Sequence, residues 1–284
     1  MKKYSLITLS IALMLACCML LVACGNKGGT TPEPEVETKI LRVGMECAYA
    51  PFNWTQVDDS NGAVALGDGT YAGGYDVEIA KRVAEIMGME LQIVKTEWDG
   101  LPPSLTSGKI DAIIAGMTNT AERRETIDFT DDYYTSDLVI VVLKDGPYAN
   151  ATNIQEFSGA KVTGQLATLH YDVIDQIVGV DKQQAMKDFP TMVVALSSGK
   201  IDGYVSERPG AISAAASNPG LTFVGFEGDN GFDYSTGDVS IAIGIRQNEA
   251  DFKASLNAAL NQITAEERAQ YMESAVKNQP LSEE

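Results

Sequence analysis

A nine-residue passage that occurs twice limits the possible folds more than any other feature of this chain. Ser104-Leu105-Thr106-Ser107-Gly108-Lys109-Ile110-Asp111-Ala112 returns as Ala195-Leu196-Ser197-Ser198-Gly199-Lys200-Ile201-Asp202-Gly203. In each copy a helical stretch stops at a glycine, the residue that ends a helix in the left-handed conformation without a Cβ penalty. Lys-Ile-Asp then leads into a β-rich run, which finishes at Ala115-Gly116 in one copy and at Ser206-Glu207 in the other. A helix-glycine-strand unit present twice implies two similarly built lobes, the alternative being chance recurrence of a common helix stop. Ligands of open α/β sheets bind beyond the carboxyl ends of the strands, so the two matched ends are expected to face one shared cleft.

The rest of the chain from Ile40 onward fits an α/β architecture with helices packed on mainly parallel sheets. Strands are expected at Leu41-Gly44, Leu91-Lys95, Ile110-Ala115, Leu138-Leu143, Lys161-Thr163, Ile201-Val205, Leu221-Phe226 and Ser240-Ile245. Helical spacing runs through Val77, Ile79, Ala80, Val83, Ala84 and Met87, closed by Gly88, and again through Phe252, Leu256, Ala259, Leu260 and Ile263. The glycine-rich segment from Val57 to Tyr71 reads as an irregular loop insertion, with Asp58, Asp59 and Asp68 solvated.

Residues 1–23 read as a secretory signal: Met1-Lys2-Lys3, an apolar run to about Val22, then Leu21-Val22-Ala23-Cys24-Gly25. The last five residues resemble a bacterial lipobox. That resemblance implies cleavage before Cys24, lipidation of Cys24 and attachment to the outside of the cell membrane. An uncleaved anchor is the alternative, since the run is at the lower limit for spanning. Residues 24–39, with Gly28, Gly29, Pro32 and Pro34 among polar residues, form an expected flexible stalk. Of the four cysteines only Cys47 would then remain free, so no disulfide framework is expected. The formal net charge is −18, and losing Lys2 and Lys3 makes it two units more negative. A field of that sign argues against nucleic acid as a partner and favours cationic solutes.

Arg42-Val43-Gly44-Met45-Glu46-Cys47-Ala48-Tyr49-Ala50-Pro51-Phe52 resembles the first-strand motif of the family 3 solute-binding proteins for polar amino acids. Further matches follow in the family's order: Gly74-Tyr75-Asp76-Val77, Trp98-Asp99-Gly100-Leu101, Ser107 to Ile114, Met117-Thr118-Asn119-Thr120-Ala121-Glu122-Arg123, and Asp128 to Tyr134. The resemblance covers residues 40 to 278. It implies the two-lobed periplasmic-binding-protein (Venus flytrap) fold, with lobe 1 formed by 40–137 plus 239–284 and lobe 2 by 138–238. Chain crossings near Ser136-Val139 and Gly237-Ser240 would be the hinge.

An amino-acid receptor must satisfy an α-carboxylate and an α-ammonium in a dry cleft, where an unpaired charge is costly. The resemblance assigns Arg123, in the first turn of a helix capped by Thr120, to the carboxylate, which a guanidinium can hold bidentately. Thr118 and the backbone of Ala115-Gly116 would add hydrogen bonds, and Gly116 would allow close approach. Glu207 stands where many members have Asp for the α-ammonium; the alternative is a solvated Glu207 paired with Arg208. In the loop Gln165-Leu166-Ala167-Thr168-Leu169, Gln165 and Thr168 are expected ligand contacts and Leu169 can offer only its N–H. Tyr49 and Trp98 match the aromatics that sandwich the ligand side chain. Glu46, assisted by Asp76, would read a distal cationic group, which favours arginine or lysine over glutamine or histidine.

A cleft enzyme of the same fold, similar to a cyclohexadienyl dehydratase, is the competing class. The single histidine, His170, has no recognisable acid-base partner in the sequence and is expected to be solvent-exposed, with lining of the cleft as the alternative. Cys47, without a partner histidine, is expected to be buried as a small apolar residue. No metal-ligand spacing or phosphate loop is present, so neither a metal nor a cofactor is expected. The expectation is a monomeric lipoprotein receptor that passes an amino acid to the permease of an ABC importer, rather than a sensor domain continuing into membrane helices.

Overall fold

The computed structural model describes residues 39–280. The expected signal sequence, the expected lipidation at Cys24 and all of the expected stalk but its last residue lie outside the described residues.

In chain order the regular elements are β1 (Ile40–Met45), β2 (Ala48–Tyr49), β3 (Asn53–Gln56), β4 (Val64–Ala65), β5 (Tyr71–Gly73), α1 (Tyr75–Ile86), β6 (Glu90–Lys95), α2 (Leu101–Thr106), β7 (Ala112–Ile113), β8 (Asp128–Thr135) and β9 (Leu138–Leu143). They continue with β10 (Lys161–Thr163), α3 (Leu169–Asp172), β11 (Asp181–Lys182), α4 (Phe189–Ser197), β12 (Gly203–Glu207), α5 (Arg208–Ser217), β13 (Leu221–Val224), β14 (Ser240–Ile245), α6 (Ala250–Leu260) and α7 (Ala265–Asn278).

Two five-stranded sheets organise these elements, in the orders β6-β1-β7-β14-β8 and β11-β10-β12-β9-β13. Each sheet has a parallel core, β6-β1-β7 and β11-β10-β12. In each, the fourth strand runs antiparallel to its neighbours, and it is the strand that has just arrived from the other sheet. The chain passes from β8 to β9 through residues 136–137, and from β13 back to β14 through residues 225–239. These crossings touch, because the Ser136 N–H donates to the Val239 carbonyl at 3.3 Å. The two-lobed architecture read from the repeat is therefore present.

The repeat itself does the same work in both sheets. Gly108 and Gly199 take φ of +77° and +70°. The Gly108 and Gly199 N–H groups donate to the Leu105 and Leu196 carbonyls, each at 3.0 Å. Ile110 and Ile201 then plug into the core with 0% and 2% exposure. Asp111 and Asp202 each bridge to the start of the neighbouring parallel strand. The backbone N–H of Arg42 donates to the Asp111 carboxylate at 3.0 Å, and that of Lys161 donates to Asp202 at 2.8 Å. Side-chain bonds from Arg42 at 2.7 and 2.9 Å add to the first bridge alone.

Several boundaries differ from the sequence reading. The run Ile110–Ala115 contributes only Ala112–Ile113 as strand, because Asp111 is occupied in its bridge and the chain turns out of the sheet at Gly116. The run expected at Ile201–Val205 shifts to Gly203–Glu207, and that at Leu221–Phe226 ends at Val224. The segment Val57–Tyr71 is not wholly irregular: β4 pairs antiparallel with β5 and completes a four-stranded sheet β2-β3-β5-β4. β8 was hidden by its acids, yet Phe129, Thr130 and Tyr133 point inward and two register irregularities against β14 break the alternation.

Both Asp bridges should contribute measurably to stability. Asp202→Ala is expected to cost about 1 kcal/mol and Asp111→Ala about 2 kcal/mol, since the second also frees a charged partner. Urea unfolding measures both, with Ser107→Ala as a surface control expected within about 0.5 kcal/mol of the parent. Equal, negligible losses would show that the bridges are ornamental.

Candidate functional site

The carboxyl ends of β1, β7, β10 and β12 converge. From them a recess is lined by Tyr49, Trp98, Gly116, Thr118, Arg123, Gln165, Thr168, Leu169 and Glu207, with Leu138 and His170. Nine of the sequence-predicted ligand residues are therefore brought together. The space enclosed is water-sized, about 10 Å³. Gly116 sits at φ +62°, and a Cβ there would lie 3.0 Å from the Tyr49 ring, so glycine alone lets this strand end approach the aromatic wall.

Three predicted residues are not on that lining. Ala115 is wholly buried behind it. Asp76 is also wholly buried, and its two oxygens accept from the Tyr133 hydroxyl at 2.7 Å and the Asn53 amide at 2.8 Å. Burial pushes its carboxyl up to about 7 in spite of those bonds. Glu46 is 5% exposed and meets the cleft through Gln165, whose amide donates to it at 3.1 Å and to the Lys187 carbonyl at 3.1 Å.

Arg123 opens a single 3-10 turn, Arg123–Glu125, rather than a capped helix; the contact from its N–H to the Thr120 hydroxyl is a long 3.4 Å. The residue is half-buried, with its guanidinium inside the cleft, where loss of water lowers it to about 10 and leaves it charged at neutral pH. Nη1 donates to the Thr118 carbonyl at 2.8 Å and to the Thr118 hydroxyl at 2.7 Å, and Nη2 donates to the Ala167 carbonyl at 3.1 Å. The group lies over the Trp98 ring, 5.2 Å from its centroid. Among the described residues no carboxylate forms an ion pair with it, Glu122 and Glu125 included.

Glu207 closes β12 at 1% exposure. Its neighbour Arg208 is engaged elsewhere, with Asp137 at 2.5 Å, so the solvated Glu207–Arg208 pair is not formed. The Tyr49 hydroxyl donates to Glu207 Oε2 instead, across the cleft. Tyr49 also stacks on Phe189, centroids 4.2 Å apart and 8° from parallel, so one face of the expected aromatic sandwich is already covered. Burial and the adjacent Glu207 carboxylate hold the Tyr49 hydroxyl far above its usual range, which keeps it a donor.

One lining residue, His170, and one residue packed against the lining, Phe189, correct or extend the sequence reading. His170 is not solvent-exposed: it is 7% exposed, and Nε2 lies 3.5 Å from Glu207 Oε1. It precedes buried Val173 and Ile174 by three and four positions, the spacing of one helical face, and that signal could have placed it inside. Phe189 was missed because its partner Tyr49 is far away in sequence. Cys47 is buried as expected, with its thiol pushed up to about 12 chiefly by burial, far from a nucleophile's range. Among the described residues no cluster of His, Cys, Asp and Glu could hold a metal ion.

Comparison with known proteins gives a consistent picture. The model of the bacterial extracellular solute-binding proteins, family 3, matches residues 41–275. A probable histidine-binding protein of Campylobacter jejuni is 35% identical over 219 residues, covering 76% of this chain and 80% of that one. An L-arginine-binding protein of Pseudomonas aeruginosa is 28% identical, covering 80% and 83%. An amino acid ABC transporter substrate-binding protein of Streptococcus pneumoniae, solved with L-arginine, superposes with a TM-score of 0.73 at 26% identity, covering 84% of this chain and 94% of that one.

The buried acid at the edge of the recess should leave a mark on stability. Burial raises Glu46 from 4.5 to about 8, so the folded state binds its proton more tightly than the unfolded chain does. Stability must therefore fall as pH rises from about 4.5 to about 8, by up to about 1.4 kcal/mol per pH unit. Glu46→Gln, which keeps an amide partner for Gln165, should match the parent at pH 4 and melt at a higher temperature at pH 8.5. A smaller slope from Asp76 should remain. An unchanged profile of Tm against pH in the variant would refute the assignment.

Proposed function

Given that the chain belongs to the bacterial extracellular solute-binding proteins, family 3, we propose that it captures an amino acid outside the cell, preferably arginine or lysine, and delivers it to an ABC importer. The observation that carries this reading is the pair of opposite charges in one recess. Glu207 is an almost fully buried carboxylate with no Lys or Arg partner among the described residues, and Arg123 is a guanidinium held by dipoles. A zwitterion satisfies both at once, its α-carboxylate on Arg123 and its α-ammonium on Glu207. Thr118, Gly116 and Thr168 lie beside them to complete the polar shell.

Entry requires the lobes to part. A water-sized space cannot take an amino acid, and three polar contacts bridge the cleft: Tyr49 with Glu207, Glu46 with Gln165, and Arg123 with the Ala167 carbonyl. Residues 40–137 with 239–284 would turn against 138–238 about the paired crossings, and the ligand would take over these bridging bonds as the lobes close on it. Trading bonds already made explains why a micromolar affinity, about −8 kcal/mol, suits capture followed by release. The closed form would then dock on the permease, with the chain tethered to the membrane through lipid on Cys24.

The raised Glu46 carboxyl supports a second reading. An acid that holds its proton near neutral pH can donate to an uncharged polar side chain, as in a glutamine or histidine receptor. A cation reaching Glu46 would have to displace that proton.

A thermal-shift screen over the twenty amino acids separates these readings. Arginine or lysine should raise Tm, Arg123→Ala should abolish the shift, and Glu46→Gln should weaken it. Stabilisation by glutamine or histidine alone would move the assignment to the second reading. Turnover of a carboxylic acid with no amino-acid stabilisation would move it to an enzyme. Cys24→Ser should release the chain from the membrane fraction.

A further inference from the structure

An α-ammonium carries three N–H groups, and Glu207 alone offers it only the two oxygens of one carboxylate. We propose that His170 is a second acceptor for the α-ammonium of the bound amino acid, acting through Nδ1 of a ring whose Nε2 lies beside Glu207; this rests on the amino-acid reading above. The imidazole is 7% exposed and belongs to the lining of the recess. Its Nδ1 is buried and has no hydrogen-bond partner among the described residues.

The tautomer follows from the neighbours. A proton on Nε2 faces Glu207 Oε1 at 3.5 Å, whereas one on Nδ1 would face no acceptor among the described residues, so the ring proton belongs on Nε2. Nδ1 is left with its lone pair, a buried acceptor that needs a donor. Packing holds the ring in place: Phe189 meets it edge-on, centroids 5.9 Å apart at 78°. Behind it the chain is equally close, for a Cβ on Gly164 would come within 2.7 Å of the His170 backbone. In the closed cleft the Tyr49 hydroxyl and the Arg123 Nη groups donate to Glu207, Thr118 and Ala167, and none of them donates to Nδ1. The donor that suits Nδ1 is thus a cationic N–H arriving next to Glu207, which is the α-ammonium of the ligand.

His170 is the only histidine in the chain, so its ring nitrogens can be followed without assignment ambiguity. Tag-free protein labelled with ¹⁵N-histidine would be titrated with L-arginine, L-lysine, L-histidine and L-glutamine, and read by long-range proton–nitrogen NMR. The expected spectrum shows an Nε2–H tautomer whose Nδ1 resonance moves upfield when the binding amino acid saturates the site. Two variants separate ligand contact from mere support of Glu207. His170→Asn keeps a carbonyl acceptor near the Nδ1 position and should retain affinity within about threefold; His170→Gln reaches the Nε2 position only and should lose about tenfold. Both should unfold cooperatively near the parent Tm. An Nδ1–H tautomer, an Nδ1 resonance unmoved at saturation, or a His170→Gln variant that binds like the parent would each overturn the inference while leaving the amino-acid reading intact. Absence of binding by any of the four amino acids would overturn both.

Discussion

Glu207 is a carboxylate taken almost completely out of water, and such a group persists only where hydrogen bonds or an opposite charge replace its hydration. Among the described residues no Lys or Arg does so. The replacement is the Tyr49 hydroxyl, which reaches Glu207 from the other sheet's side of the cleft, with the His170 imidazole alongside. The site is therefore not a property of either lobe. It exists where two strand ends, of β7 and β12, are held face to face, and the rest of the structure serves that juxtaposition.

Topology supplies it. Because each sheet takes its antiparallel strand from the chain arriving from the other sheet, the two crossings run side by side and are joined at Ser136 and Val239. Two adjacent connections define an axis rather than a pivot point, which suits a rotation that opens and shuts a cleft. A further tie runs from Gln279, just beyond α7, to Ser213 in α5. The polar contacts across the cleft are those of Tyr49 with Glu207, Glu46 with Gln165 and Arg123 with Ala167, and Tyr49 stacked on Phe189 adds an apolar one.

Much of this was legible in the sequence, and the reasons are physical. The repeated helix-stop and Lys-Ile-Asp passage reads clearly because every position has a local duty: a glycine at positive φ, a buried isoleucine, an aspartate bridging to the next strand. Ordered motifs on the same strands located nine residues that line the recess. What stayed hidden depends on partners distant in sequence. Phe189 acquires its role only from Tyr49, β8 only from the irregular pairing with β14, and β4 only from β5 across a glycine-rich turn. His170 was misjudged because a lone histidine beside a tyrosine looks like a polar helix start, while the apolar Val173 and Ile174 behind it set the face that turns inward. Asp76 was expected to assist the ligand; its oxygens are instead held by Tyr133 and Asn53, side chains whose proximity no spacing along the chain reveals.

In the proposed function the recess recognises the paired charges of an amino acid, with Arg123 taking the carboxylate. Isothermal titration of the parent protein with L-arginine and with its decarboxylated form, which keeps the amine and the guanidinium but lacks the carboxylate, tests this most directly. L-Arginine should bind at about micromolar affinity and the decarboxylated form at least a hundredfold more weakly, a difference of about 2.7 kcal/mol. Equal affinity for the two would contradict the pairing of Arg123 with an α-carboxylate.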